Sequence, residues 1–271
     1  MAIQDSELRP YLRVLGTALA LWASLLAADP SHAQSNGDQN RPFKGELRAA
    51  LIVSDNGLVT HNPQGELSGI LVEIANALAT SFRVPLHLVP YNNIVRYNLS
   101  IGKDEWDVAL APRDLSRIER LAFSETFLEV DNSYVARPGS SLNSVDDVDR
   151  TGIRVAVAEH SLADGFLTRT LKKATIVRLP RGIDEAREAL TFGRADVYAD
   201  NAQLAYRIAD ELPGATVLVG RFSSVQMSFA VPKSKAAALS SLNDFIHKAK
   251  HDGIIADLIK RAGLRGVRSG R

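Results

Sequence analysis

The sequence contains no cysteine, which excludes disulfide bonds, thiol catalysis and cysteine metal sites. It also lacks a strong charge of either sign, because the formal net charge is +1 over 271 residues. That balance gives no general attraction to nucleic acid or to an anionic membrane surface, so neither is expected as a partner. Nucleophile-elbow, phosphate-loop and dinucleotide glycine motifs are missing as well. His247 and His251 lie four residues apart without the glutamate of a zinc motif, so no metal or cofactor is expected.

Long apolar runs are absent beyond the N-terminus. There, two arginines precede an apolar run from Val14 to Ala28, and small residues at Ser31 and Ala33 fit a cleavage site. The run is short for a helix that spans a membrane. We therefore predict a signal peptide over 1–33 and a polar leader over 34–45, with the product free in the periplasm because no lipid-bearing cysteine is present.

The rest of the chain alternates strand-like and helical patterns in two series separated near residue 138. Each series reads strand–helix–strand–helix–strand, which favours a parallel sheet. The pattern predicts an α/β fold with two lobes and a ligand cleft between them. The predicted bounds are 46–134 plus 231–262 for lobe 1, 139–226 for lobe 2 and 263–271 for a flexible basic tail.

One stretch of the first series combines a buried strand with charged residues. Its apolar run stops at Pro112 and gives way to a charged segment with helical spacing, which predicts a tight turn and a short helix beginning near Asp114. Asp114 is a good N-cap for such a helix. Arg117 then leaves the turn beside the carboxyl end of a strand, where open α/β sheets bind ligands. A guanidinium in that place is a plausible clamp for a carboxylate or another anion.

Several motifs occur in an order that points to one family. They are a G-x-L-x-G segment at 65–69 followed by a helix at 72–78, the strand at 106–109, Arg117 through Phe123 and Ser124, the strand at 152–157, the turn at 193–196 and the segment at 229–233. This ordered set resembles the family 3 extracellular solute-binding proteins, the periplasmic receptors of polar amino-acid ABC transporters. The resemblance covers nearly all of 47–262 and implies a two-lobed, type II periplasmic-binding-protein-like fold.

The resemblance also implies roles for individual residues. Arg117 would hold the α-carboxylate of the ligand, assisted by backbone N–H groups and a hydroxyl at Ser161. In the family an acid in the last cleft strand takes the α-ammonium, and Asp200 or Asn201 could occupy that position here. This sequence departs from the family pattern at Asp114, where threonine is usual, and at other positions around the cleft. The candidate ligand contacts are Asn56, Leu58, Tyr91, Asp114, Arg117, His160, Ser161, Leu162, Asp200 and Asn201.

These features predict the periplasmic solute-binding component of an ABC importer. It would be a monomer that captures a small polar ligand, amino-acid-like or an organic acid, and delivers it to an ABC permease. One alternative is a cyclohexadienyl (arogenate or prephenate) dehydratase-like enzyme, with Asp114, Glu73 or His160 as a general acid. Another is a soluble sensory subunit that presents its ligand to a membrane receptor.

Overall fold

The structure is a computed structural model, and it describes residues 42–43, 45–53, 57–114, 117–180 and 182–271. The predicted signal peptide, most of the predicted leader and the candidate contact Asn56 lie outside these residues. Among the helices of the described residues, none is both long and apolar enough to cross a membrane.

The elements of the described residues follow the alternation predicted from the sequence. The strands are β1 (Leu47–Ile52), β2 (Thr60–His61), β3 (Leu67–Ser68), β4 (Leu86–Tyr91), β5 (Val108–Pro112), β6 (Leu121–Ala136), β7 (Arg154–Ala158), β8 (Thr175–Leu179), β9 (Val197–Asn201), β10 (Thr216–Val217), β11 (Ser223–Pro232) and β12 (Val267–Ser269). The helices are α1 (Ile70–Phe82), α2 (Ile94–Ser100), α3 (Leu162–Thr170), α4 (Ile183–Thr191), α5 (Ala202–Glu211), α6 (Leu239–His251) and α7 (Ile254–Arg261), with short 3-10 helices at Val145–Asp147 and Lys233–Ala238.

Two sets of parallel strands are joined into one sheet through a pair of long strands. The strand order is β4-β1-β5-β11-β6-β9-β7-β8. Strands β4, β1 and β5 are parallel to one another, as are β9, β7 and β8, because a helix returns the chain between successive strands of each set. Between the two sets, β6 and β11 run antiparallel to each other, and β6 is 16 residues long. The predicted two-lobed α/β fold is confirmed, with β6 and β11 as its crossing strands; the residue bounds of the lobes stay predictions.

Apolar periodicity explains how the helices attach to the sheet. In α1, Ile70, Leu71, Ile74 and Leu78 are buried, as expected for residues spaced three and four apart on one helical face. They join the first-lobe core, whereas the second lobe has its own apolar clusters on the two faces of its sheet. Separate cores allow each lobe to hold its shape while the crossing strands connect them.

Residue 117 lies in a 3-10 helical turn and residues 118–120 form a hydrogen-bonded turn, so the short helix predicted near Asp114 does not extend beyond Arg117. The Arg117 N–H donates to the Asp114 carbonyl at 3.0 Å, and the Arg120 N–H donates to the Arg117 carbonyl at 2.9 Å. Strand β6 then begins at Leu121, whose partner on β11 is Pro232. Sheet pairing of the following residues has therefore overridden the local helical spacing.

The C-terminal tail, predicted to be flexible, is instead partly a strand, because residues 267–269 form β12 and pair with β6. The Asp131 N–H donates to the Gly266 carbonyl at 2.8 Å, and the Gly270 N–H donates to the Phe127 carbonyl at 3.0 Å. Arg268 forms ion pairs with both Glu129 and Asp131 of β6. The basic composition that suggested a frayed tail is complementary to acidic groups on the crossing strand.

A charged network in the first lobe gives a testable pH dependence. Asp107 is 15% exposed and accepts from Arg48 Nη2 at 2.8 Å and from Lys235 Nζ at 2.9 Å. Burial acts to raise the pKa of Asp107, but hydrogen bonds from Arg48 and Lys235 outweigh it and hold the pKa at about 2. Because that value lies below the pKa of an unfolded aspartate, the group stabilises the fold above about pH 4, and the contribution is lost as pH falls toward 2.

We expect Asp107→Asn to lower the free energy of unfolding by about 2 kcal/mol at pH 7. The difference from the wild type should shrink between about pH 4 and pH 2, as measured by urea unfolding at several pH values. Asp244→Asn, at an exposed position on α6, is the matched control and should leave stability nearly unchanged. A difference in the free energy of unfolding between Asp107→Asn and the wild type that does not change with pH would contradict the low pKa of Asp107.

Candidate ligand-binding site between the two lobes

A cavity of about 910 Å³ lies where the carboxyl ends of strands from the two lobes face each other. Its first wall includes residues after β1, after β4 and at the end of β5, and its second wall includes residues at the ends of β7 and β9. The crossing strands contribute Val130 and Asn132 from β6 and Val225 and Met227 from β11. Such a crevice is the usual position for a ligand in an α/β protein.

Most of the candidate residues predicted from the sequence are brought together around this cavity. Those that line it are Leu58, Asp114, Arg117, His160, Ser161, Leu162, Asp200 and Asn201. Their places in the fold agree with the prediction, and their roles as ligand contacts stay predictions.

Tyr91 is placed elsewhere, which corrects its assignment to the cleft. It is 8% exposed, its hydroxyl donates to Glu105 Oε2 at 2.8 Å, and its ring meets the Tyr97 ring edge-on with 5.9 Å between centroids. Successive side chains alternate along a strand, so the last residue of β4 faces the core under α2. The following residues, Asn92 and Asn93, line the cavity instead.

Arg117 is the buried cation of the first wall. Its side chain is 12% exposed, and its Nη2 lies 3.4 Å from Asp114 Oδ2. Its Nε and Nη1 atoms are buried with no hydrogen-bond partner among the described residues. A buried donor without a partner costs free energy, and a guanidinium is well suited to a carboxylate. An anionic ligand group would therefore gain by reaching these donors.

Asp114 stands next to that cation. Its ion pair with Arg117 means that part of the guanidinium charge is compensated before a ligand arrives. Its role as a helix cap stays a prediction, because residues 115 and 116 lie outside the described residues.

The second wall presents the N-terminus of α3. Ser161 is the N-cap of this nine-residue helix, and its Oγ accepts from the Asp164 N–H at 3.0 Å. Asp164 is 6% exposed and accepts from the His160 N–H and from Arg178 Nε, each at 3.0 Å. Burial acts to raise the pKa of Asp164, but these bonds, with Arg178 foremost, lower it. The arrangement fixes a helix N-terminus at the cavity, where free backbone N–H groups favour an anion.

His160 and Leu162, on either side of Ser161, are mainly solvent-facing. The backbone of His160 has a positive φ of 60°, and its side chain is 88% exposed. Leu162 is 57% exposed. Both therefore belong to the rim of the cavity.

Asp200 and Asn201 are hydrogen-bonded to each other, and both line the cavity. Asn201 is the N-cap of α5, with its Oδ1 accepting from the Leu204 N–H at 3.0 Å. Its Nδ2 donates to Asp200 Oδ1 at 3.0 Å, and the Tyr198 hydroxyl donates to Asp200 Oδ2 at 3.1 Å. Asn201 is neutral, so Asp200 is the residue of the pair that can carry a negative charge at the cavity. Both residues line the cavity, and which of them contacts the ligand stays a prediction.

Sequence reasoning missed several lining residues, among them Thr60, His61, Asn132 and Tyr198. Tyr198 precedes Asp200 by two positions in a strand, so the alternation of side chains could have placed both on one face. Asn132 lies within the 16-residue β6, and only knowledge of the crossing strands places it at the cavity.

Fold and site together define a two-lobed ligand-binding protein, in which a guanidinium and a helix N-terminus face carboxylates across a cleft. The model of the bacterial extracellular solute-binding proteins, family 3, matches residues 50–264, and the chain belongs to this family. It is 23% identical to the ABC transporter glutamine-binding protein GlnH of Bacillus subtilis (strain 168) over 258 residues, which are 90% of this chain and 94% of that protein.

Solved structures share the fold at low identity. A putative binding component of an ABC transporter from Wolinella succinogenes, complexed with lysine, has a TM-score of 0.70 at 20% identity, covering 81% of this chain and 96% of that one. An ancestral cyclohexadienyl dehydratase has a TM-score of 0.53 at 23% identity, covering 81% and 93%. The dehydratase shares only the fold with this chain. The family and the relative from Bacillus subtilis are solute-binding proteins that serve transport and are not enzymes.

Proposed function

We propose that this chain is the periplasmic binding component of an ABC importer and that it captures an α-amino acid in its cleft. The proposal rests on the position of Arg117. Its guanidinium lies at the cavity, and two of its nitrogens, Nε and Nη1, are buried without a hydrogen-bond partner among the described residues. The glutamine-binding relative and the lysine-complexed structure support an amino acid as ligand. An ABC permease as partner, a monomeric state and export by the N-terminal signal are parts of the same proposal.

The cleft suggests how such a ligand is held. Its carboxylate would accept from Arg117 in the first lobe and from the α3 N-terminus at Ser161 in the second, so that one group ties the lobes together. Its ammonium would lie against Asp200. A ligand that bridges both lobes binds the closed arrangement more tightly than the open one and shifts the population toward it. The closed form is what a permease would recognise.

A thermal-shift panel tests the proposal. It comprises the twenty common L-amino acids together with amines that lack the α-carboxylate, such as 1,5-diaminopentane as the counterpart of lysine. At about one hundred times its Kd, a ligand adds about 2.7 kcal/mol of stability, or about 5 to 10 °C in Tm for a chain of this size. We expect at least one amino acid to give this shift and its decarboxylated counterpart to give none. No shift with any amino acid, or equal shifts for acid and amine, would refute it.

A second prediction concerns the ammonium end of the ligand. Asp200→Asn keeps the shape of the side chain and removes its charge, so we expect at least about tenfold weaker binding of the amino acids that shift the wild type. Calorimetric titration measures the change. Asp184→Asn is the matched control, because Asp184 lies on α4 of the same lobe, is exposed and pairs with Arg187 away from the cavity. Equal affinities of Asp200→Asn and the control would remove Asp200 from the site.

A further inference from the structure

We propose that Tyr97 is a positioning residue that holds the Arg117 guanidinium in the orientation that receives the ligand. The inference rests on the proposed function of the cleft. Tyr97 lies on α2 and is fully buried, at 0% exposure, and Arg117 Cζ stands over its ring at 5.6 Å from the centroid. The face of an aromatic ring attracts a cation at this distance, and an arginine can stack on it without using its N–H donors.

The ring is a contact that can orient the cation, beside the ion pair with Asp114, and that leaves the donors on Nε and Nη1 open. Arg117 has one ion-pair partner among the described residues, Asp114, at 3.4 Å from Nη2. Its Nε and Nη1 have no hydrogen-bond acceptor in the same part of the chain. A long side chain with one such partner would sample several rotamers, and ordering it on binding costs free energy. Contact with Tyr97 lowers that cost in advance.

The ring is itself fixed on two sides. The Trp106 ring stacks with Tyr97 at 5.9 Å and 21°, and the Tyr91 ring meets it edge-on at 5.9 Å and 68°. Trp106 Nε1 donates to Ser100 Oγ at 2.8 Å, and that hydroxyl donates to the Tyr97 carbonyl at 2.8 Å. The stack thus joins α2 to the residues before β5, and it explains why Tyr91 lies in the core behind the cleft.

The hydroxyl of Tyr97 is not needed to hold the ring in place. Its oxygen is buried with no hydrogen-bond partner in the described residues. Burial raises the pKa of Tyr97 above its usual value, so the phenol stays neutral and places no competing charge under Arg117. The aromatic ring is what contacts Arg117, so phenylalanine at position 97 should preserve the positioning role.

Three variants separate positioning from packing. Tyr97→Phe keeps the ring, Tyr97→Leu removes it, and Tyr91→Leu removes a neighbouring core ring that is not under Arg117. In calorimetric titrations with L-glutamine and with L-lysine, we expect Tyr97→Phe to bind like the wild type and Tyr97→Leu to bind about tenfold more weakly. Tyr91→Leu should be less stable and should lose less affinity than Tyr97→Leu, because the Trp106 ring still holds Tyr97 in place. Tyr97→Met, with an unbranched side chain, replaces the leucine variant if that chain does not fold.

A second measurement does not depend on a ligand. The Nε–H resonance of Arg117, assigned by its loss in Arg117→Lys, should show a ring-current shift that Tyr97→Phe preserves and Tyr97→Leu abolishes. Equal effects of Tyr97→Leu and Tyr91→Leu on affinity, or an unchanged resonance in Tyr97→Leu, would overturn the inference. If neither amino acid binds the wild type, L-glutamine and L-lysine are not ligands of this protein. The positioning role of Tyr97 is then tested by the ring-current shift of Arg117 alone.

Discussion

Alanine in place of Arg117 is expected to abolish amino-acid binding and leave the chain folded. Truncating one partner of a buried, hydrogen-bonded charge pair costs about 2 to 5 kcal/mol, which corresponds to a loss of affinity of about thirtyfold or more. Stability should change little, because two of the guanidinium nitrogens have no partner to lose among the described residues. A residue whose removal costs binding and not folding has been retained for the ligand.

Calorimetry with the amino acids that shift the wild type, together with urea unfolding, measures both effects. Arg117→Lys keeps the positive charge and loses the planar fork of donors, so it should also bind poorly. Arg113→Ala is the matched control, since Arg113 is exposed on the same turn and does not line the cavity. Wild-type affinity in Arg117→Ala, or an equal loss in Arg113→Ala, would show that Arg117 is not the anchor.

Local sequence signals were enough to predict the architecture. The two predicted strand–helix–strand–helix–strand series are formed by β1, α1, β4, α2 and β5 and by β7, α3, β8, α4 and β9, and the helix predicted at 72–78 lies within α1. Both features depend on side-chain alternation or on helical spacing within a few residues. The order of such elements also determines that each lobe has a parallel sheet.

Features that depend on distant residues could not be predicted in the same way. The short helical segment near Asp114 is followed directly by β6, whose first residue Leu121 pairs with Pro232, more than a hundred residues away in the chain. Likewise, the side on which Tyr91 packs is set by its contact with Tyr97 on α2. For Asp200 and Asn201 the sequence left two alternatives; both line the cavity, and the cap that Asn201 forms on α5 could not be predicted from its position alone.

The C-terminal tail is the second place where a large effect is expected. Residues 265–271 follow the part of the chain that the family model matches. Arg265 contacts α5 of the second lobe: its N–H donates to Gln203 Oε1 at 2.9 Å, its guanidinium lies 4.3 Å from the Tyr206 ring centroid, and it pairs with Asp210. Strand β12 then pairs with β6, and Lys250 Nζ of α6 donates to the Arg271 carbonyl at 3.3 Å. The tail thus connects elements of both lobes with a crossing strand.

Deletion of 265–271 should therefore lower the free energy of unfolding by about 3 kcal/mol or more. The deletion removes the strand pairing of β12 with β6 and the ion pairs of Arg268. Glu129 is 5% exposed, and in Arg268→Ala, where β12 still covers it, it would be a buried charge without its partner, which costs about 3 to 5 kcal/mol. Arg268→Ala should reproduce most of the loss in urea unfolding. Arg265→Ala should cost little, since exposed ion pairs contribute little.

The same variants distinguish a strand from a frayed end. If the tail were as loose as its glycine-rich, basic composition suggests, the deletion and Arg268→Ala would both unfold at wild-type urea concentrations. If β12 is formed, Glu129→Gln should rescue part of the stability lost in Arg268→Ala, because the neutral amide removes the buried, unpaired charge. Rescue by that second substitution depends on contact between the two side chains, so general effects of net charge cannot produce it.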